Sequence, residues 1–167
     1  MTTWLRPPGR IGRSRLVKGE EYRGKIPSKR RFFFGFRVQL ITTRDKQPVQ
    51  FFILPGSYVD VTALQMMHLT LPAGSEVYGD SGYTDYEQED LYAECEEVNL
   101  RIQRKSNSQR PDQAWEAAYK KQLRQRIEQA FSQITMRFPK KIHAVTEAGF
   151  LIKIVLFLIA YTLETNL

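Results

Sequence analysis

The stretch GFLIKIVLFLIAYTL, residues 149–163, limits the fold more than any other part of the chain. It is too long for one ordinary strand and has no polar face, so its apolar surface must be hidden either in a bilayer or in a protein core. The run extends over about fifteen residues with Lys153 inside it, against the roughly 20 apolar residues that cross a hydrocarbon layer. A buried core helix is therefore expected, with Thr146 as its cap. Such a helix needs other elements to cover it, and 167 residues are enough for one domain with a real core.

The remaining composition points to the partner. There are 25 Lys and Arg against 18 Asp and Glu, a net charge of +7, which suits a polyanion such as nucleic acid or an acidic surface. The hydrophobic fraction of 42% excludes a disordered polymer. The single cysteine, Cys95, supports neither a disulfide framework nor a cysteine zinc site, and a cytoplasmic protein is expected. The opening MTTWLRPPGRIGRSR lacks the apolar centre of an export signal. Residues 1–31 carry Arg6, Arg10, Arg13, Arg15, Lys18, Lys25, Lys29, Arg30 and Arg31, with no acid before Glu20. They are expected to form a basic, poorly ordered segment ahead of a domain spanning 32–167.

From Phe32 apolar residues recur with period two. Phe34, Phe36, Val38 and Leu40 fall on one face and Arg37 and Gln39 on the other, the pattern of a half-buried strand. RDKQP, with Asp45 as a turn residue, then connects to VQFFIL, which predicts an antiparallel hairpin. Asp60 is expected to cap a short helix, a role worth about 1 kcal/mol. A strand over Val77–Asp80 follows. Thr84 and Glu87 form a capping-box pattern for a helix over 86–97 with its acids toward solvent. VNLRIQRK alternates as another strand, and RKSNSQRP is a polar basic loop. Leu123, Ile127, Ala130, Phe131, Ile134 and Phe138 then mark the buried stripe of a long helix. The order of elements favours an α/β sheet with helices on its faces.

Within this order Asp80 lies at the carboxyl end of a strand, where open α/β sheets place ligands. Glu128 lies on the flank of the long helix, one turn after Arg124. Two carboxylates about 4 Å apart repel by ~4 kcal/mol at an effective dielectric of ~20, so if the helix packs beside the strand a divalent cation is expected between them. An all-oxygen set suits magnesium or manganese better than zinc. The plainer alternative makes Asp80 a turn cap and Glu128 a solvated charge paired with Arg124. His68 and His143 stand without ligand spacing. Trp115 and the cluster Phe32–Phe36 could stack on bases, but their spacing favours packing. The basic tracts Arg10–Lys18 and Arg101–Arg110 suit contact with phosphates.

Six stretches in order, GEEYRGKIPSKRRFFFGFRVQLITT, PVQFFILPGSYVDV, VYGDSGYTDYEQEDL, RKSNSQRP, RQRIEQAFSQI and FPKKIHAVTEAGFLIKIVLFLIAYTL, resemble insertion-sequence transposases of the DDE class. The resemblance runs from about Arg10 to Leu163. It implies a ribonuclease H-like mixed sheet with flanking helices, and metal-dependent cutting and strand transfer of DNA during transposition. Gly79, Asp80 and Tyr83 match the family's Gly-Asp-x-x-Tyr turn, and Arg124 and Glu128 match its arginine and catalytic glutamate. Asp60 matches an acid common in the family.

The resemblance thus implies Asp80 and Glu128 as catalytic, metal-binding acids with Mg2+ or Mn2+. It implies that Arg124 braces the glutamate or a DNA phosphate, while Lys121, Arg104, Lys105 and Arg110 are expected from their charge to be DNA-binding as well. DNA is the implied partner, with no membrane and no small-molecule substrate, and homo-oligomers are open to the parent enzyme. Two positions depart from the related pattern: Lys121 replaces a tyrosine and Thr135 a lysine. A larger departure is the Asp-Ser-x-Pro strand that carries the family's first acid, since MTTWLRPPG contains no acid. The first strand is therefore expected to be missing or degenerate, and the chain to be an inactive transposase fragment truncated at its amino terminus. The alternative is a noncatalytic basic module that binds DNA or another partner by charge alone.

Overall fold

The structure, a computed structural model, describes residues 2–5, 16–26, 30–138 and 142–165. Its contacts divide these residues into two units, 59–129 and 2–58 together with 130–167.

In the unit formed by 2–58 and 130–167, a three-stranded antiparallel sheet has the order β1 (Thr2–Leu5), β4 (Phe36–Thr42), β5 (Pro48–Pro55). The expected hairpin is present, with Val38 opposite Ile53 and Leu40 opposite Phe51. Its turn closes through the Thr43 N–H on the Gln47 carbonyl at 2.8 Å, with Asp45 inside it. Of the two expectations for the first strand, missing or degenerate, a short strand is present: Thr2–Leu5 runs antiparallel to β4 with Thr3 opposite Val38. That strand, TTWL, carries no carboxylate. A second pair, β2 (Arg23–Ile26) with β3 (Arg31–Phe34), lies at the end of the basic segment 1–31 and the start of the region that follows it. Arg6, Arg10, Arg13, Arg15 and Lys29 lie outside the described residues.

The strand expected to run unbroken from Phe32 is interrupted at Gly35, whose φ of 153° few other residues adopt. The Gly35 N–H binds the Tyr22 carbonyl, and its own carbonyl accepts from Gly56 N–H. A second difference lies on β4. Alternation assigned Arg37 and Gln39 to an open face, yet Phe36 through Leu40 are all buried. Arg37 is buried because its Nε donates to the Gly56 carbonyl at 2.9 Å and its Nη2 to the Lys25 carbonyl at 3.2 Å. A buried guanidinium is tolerable only when its donors are used in this way.

The same unit contains α4 (Glu147–Thr165), which starts where the Thr146 hydroxyl accepts the Gly149 N–H at 3.1 Å. Phe150, Ile154, Leu158 and Tyr161 form its buried stripe, and Phe150 stacks on Phe36 with centroids 5.8 Å apart. The helix has 19 residues, more than the run of about fifteen suggested, and by length and composition alone it could cross a membrane. The expected burial holds for one stripe only, because Ile152, Leu156, Ile159 and Leu163 are exposed.

The unit 59–129 is a β-α-β arrangement. β6 (Glu76–Gly79) and β7 (Asn99–Ile102) pair in parallel, Val77 opposite Leu100 and Gly79 opposite Ile102, and α2 (Tyr86–Cys95) links them. α1 (Asp60–Met66) precedes β6. α3 (Ala114–Arg137) follows β7, and its residues to Gln129 belong to this unit. Ala63, Leu64, Leu69, Tyr83, Tyr92, Val98, Leu100 and Ile102 are buried in it.

Two expected caps are corrected. The N-cap of α1 is Val59, and Asp60 is the first helical residue. The N-cap of α2 is Asp85, whose carboxylate accepts from Gln88 N–H, while the Thr84 hydroxyl donates to the Ser81 carbonyl. The acids of α2 do not all face solvent either, since Glu89 is buried.

Candidate functional site

The site forms at the carboxyl end of β6. Asp80 is the residue after the strand and the N-cap of a single 3-10 turn, Ser81–Tyr83. Its Oδ1 accepts the Gly82 N–H at 2.8 Å, which fixes the carboxylate against the turn. The glycine at 82 lets both acids approach, because a β-carbon there would meet Asp80 Oδ1 at 2.9 Å and Asp60 Oδ2 at 3.0 Å and push these carboxylates aside. Two acids thus close on one glycine from α1 and from the end of β6. Spacing along the chain gave no sign of this approach by Asp60, because it is produced by packing.

Asp80 shares a small pocket with Tyr78 and Gly79 from β6 and with Lys120, Arg124 and Ile127 from α3. The expected packing of the long helix beside this strand is present. The pocket volume is about 10 Å³, room for roughly one water-sized group. Arg124 lines this pocket, and its Nε donates to Glu128 Oε1 at 3.0 Å, an exposed pair one helical turn apart. Glu128 itself does not line the pocket. Tyr78 donates to Glu76 at 2.7 Å, and burial followed by this bond pushes its phenol up, so it stays neutral at ordinary pH.

The other expected contact residues differ in environment. Lys121 and Lys105 are exposed. Arg110 is half exposed and grips both oxygens of Asp90, at 2.7 and 2.8 Å. That guanidinium holds the Asp90 carboxyl below its ordinary range. Arg104 is nearly buried, and both its terminal nitrogens bind the Glu89 carboxylate. The Glu89 carboxylate raises the Arg104 pKa further. Both arginines lie about 5 Å from the Tyr86 ring, at 5.0 Å and 4.9 Å. This loop is thereby fastened to α2. Trp115, expected to pack, is 66% exposed, and of the cluster Phe32–Phe36 only Phe33 and Phe36 are buried phenylalanines, Phe32 being exposed. His68 and His143 are exposed.

Among the described residues, no group of three or more His, Cys, Asp or Glu is placed to hold a metal ion. Asp80 offers a fixed carboxylate, Glu128 is turned to Arg124, and the described part of the first strand adds no acid. What the pocket does supply is a carboxylate facing cations on a helix, with space for one oxygen-sized group.

No curated protein and no solved structure matches the chain. A family model described as the transposase DDE domain does match, over residues 4–163, nearly the whole length. On that match, with its acid at a strand end facing a basic helix, the chain belongs to the transposase DDE domain family.

Proposed function

We propose that this chain is a ribonuclease H-like, DNA-binding transposase domain in which Asp80 and Glu128 are two members of the family's acid set and Lys121, Arg124 and Lys105 approach phosphates. One observation carries the reading: Asp80, pinned by Gly82 N–H, shares a pocket with Arg124, which is also bonded to Glu128. Arg104 is left out of the DNA-contacting set, because its guanidinium is taken by Glu89. Arg110 belongs to the same fastening, through Asp90.

The family's chemistry is transposition, and it generally uses divalent cations. Magnesium or manganese would supply the charge that steadies the attacking and leaving oxygens of a phosphodiester. Asp80 and Glu128 are the residues of this chain that would face it, but two acids do not complete the set. Residues 1–19 contain no acid, so this chain is expected to bind DNA without cutting it. A charge-only DNA-binding module is the second reading, supported by that same lack of acids. The expected compartment is the cytoplasm.

The test is fluorescence anisotropy with a short labelled duplex over a salt series. Binding should weaken steeply with salt, and Lys121→Ala and Arg124→Ala should each reduce the slope of log affinity against log salt by about 0.9. Affinity indifferent to salt would remove the reading. Incubation with Mg2+ or Mn2+ should leave the duplex intact. Cutting that Asp80→Ala abolishes would instead mean that the chain holds a complete acid set.

A further inference from the structure

The residue of the Asp80 pocket that sequence spacing did not single out is Lys120. Its side chain is only 10% exposed, as is that of its partner Asp112 at 9%. The ammonium donates to Asp112 Oδ1 at 2.5 Å and to the Ile102 carbonyl at 3.0 Å. Asp112 is held in turn, because its Oδ2 accepts the Arg104 N–H at 3.0 Å. An ammonium carries three N–H donors. These two bonds leave one for the pocket that Lys120 lines with Asp80 and Arg124.

Stability does not explain this arrangement. A buried ion pair repays its desolvation poorly, and apolar residues of similar volume usually hold a fold as well or better. What the pair provides is a cation fixed in place beside a strand-end carboxylate. Arg124 cannot fill that role alone, since its charge is shared with Glu128 and its side chain is about half exposed. The pocket has room for a group the size of one phosphate oxygen.

We propose that Lys120 is a phosphate-binding residue of this domain, positioned by Asp112 to receive one non-bridging oxygen of a DNA phosphodiester next to Asp80. The proposal rests on the DNA-binding reading above and adds the group that anchors the backbone at the pocket. Asp112 is the positioning residue. It sets the ammonium through one oxygen and fastens the 103–112 loop through the other.

The experiment uses the full chain and the labelled duplex. In the double variant Lys120→Met with Asp112→Asn no buried charge is left unpaired, and Asn retains an acceptor for the Arg104 N–H. Its salt slope should fall by about 0.9, the loss of one phosphate contact, with an unchanged thermal midpoint. Lys120→Arg should keep the wild-type slope. A folded double variant with the wild-type slope overturns the proposal while leaving the DNA-binding reading intact, whereas a wild-type chain that binds no duplex removes both. Should the double variant not fold, the Lys120 15Nζ resonance of the wild-type chain decides the matter. It should shift when duplex is added, and a resonance that stays in place at saturating DNA overturns the proposal.

Discussion

Arg104 and Glu89 face each other across 15 residues of sequence, guanidinium on carboxylate through two hydrogen bonds, with side chains only 10% and 6% exposed. Six residues further on, Arg110 makes the same two-bonded pair with Asp90, half open to solvent. The chemistry is alike and the burial differs, so the energies should differ. Glu89→Ala strands a buried guanidinium and is expected to cost about 3–5 kcal/mol. Asp90→Ala should leave stability nearly unchanged, because water and salt screen an exposed pair. Urea unfolding of both variants checks this, and equal losses would show that burial is not the deciding factor.

Gly82 should be sensitive to a side chain. An alanine β-carbon there falls 2.9 Å from Asp80 Oδ1 and 3.0 Å from Asp60 Oδ2, so the Asp80 carboxylate must shift and its bond to the Gly82 N–H weakens. Weakening a hydrogen bond to a charged acceptor predicts a loss of no more than about 1–3 kcal/mol for Gly82→Ala. In an Asp80→Ala background the same change should cost markedly less, which a double-mutant cycle measures directly. Additive effects would refute the contact.

Acid should weaken the unit 59–129 through Glu76. The Tyr78 hydroxyl at 2.7 Å, and after it Arg101 at 3.1 Å, hold the Glu76 carboxyl below its ordinary 4.5, with burial opposing them. A carboxylate with a lowered folded pKa contributes stability that is complete above its unfolded value. That contribution is lost as pH falls from about 4.5 through the folded value. The denaturation midpoint should therefore fall more between neutral pH and pH ~3 in the wild type than in Glu76→Gln. Parallel pH profiles would exclude the linkage.

The two faces of α4 should respond in opposite ways. Ile154 is fully buried and Leu156 is 57% exposed, on a helix long and apolar enough for a bilayer. If the helix packs in the folded chain, Ile154→Ala should cost about 2–5 kcal/mol and Leu156→Ala less than about 0.5 kcal/mol. The protein should also stay in the high-speed supernatant. Recovery only in detergent, with both variants behaving alike, would place the helix in lipid instead.

Features set by short-range backbone geometry were legible in the sequence. Helical spacing from Leu123 to Phe138 and the Thr146 cap marked α3 and α4, because the helix repeat and its first unsatisfied N–H groups are local properties. Period two and the RDKQP turn marked the β4–β5 hairpin, and the acid after Tyr78 and Gly79 marked the end of β6. Only tertiary structure decided which charges would lie inside. Arg37 reads as a solvent-facing residue until Gly56 and Lys25 supply carbonyls for it, and Arg104 reads as one more charge of a polar basic loop until α2 brings Glu89 to meet it. Lys120 is one cation among many on α3 until Asp112 and Ile102 fix it beside Asp80. The reason is physical. Periodicity determines which face a side chain takes on its own element, whereas the cost of burying a charge depends on partners distant in sequence.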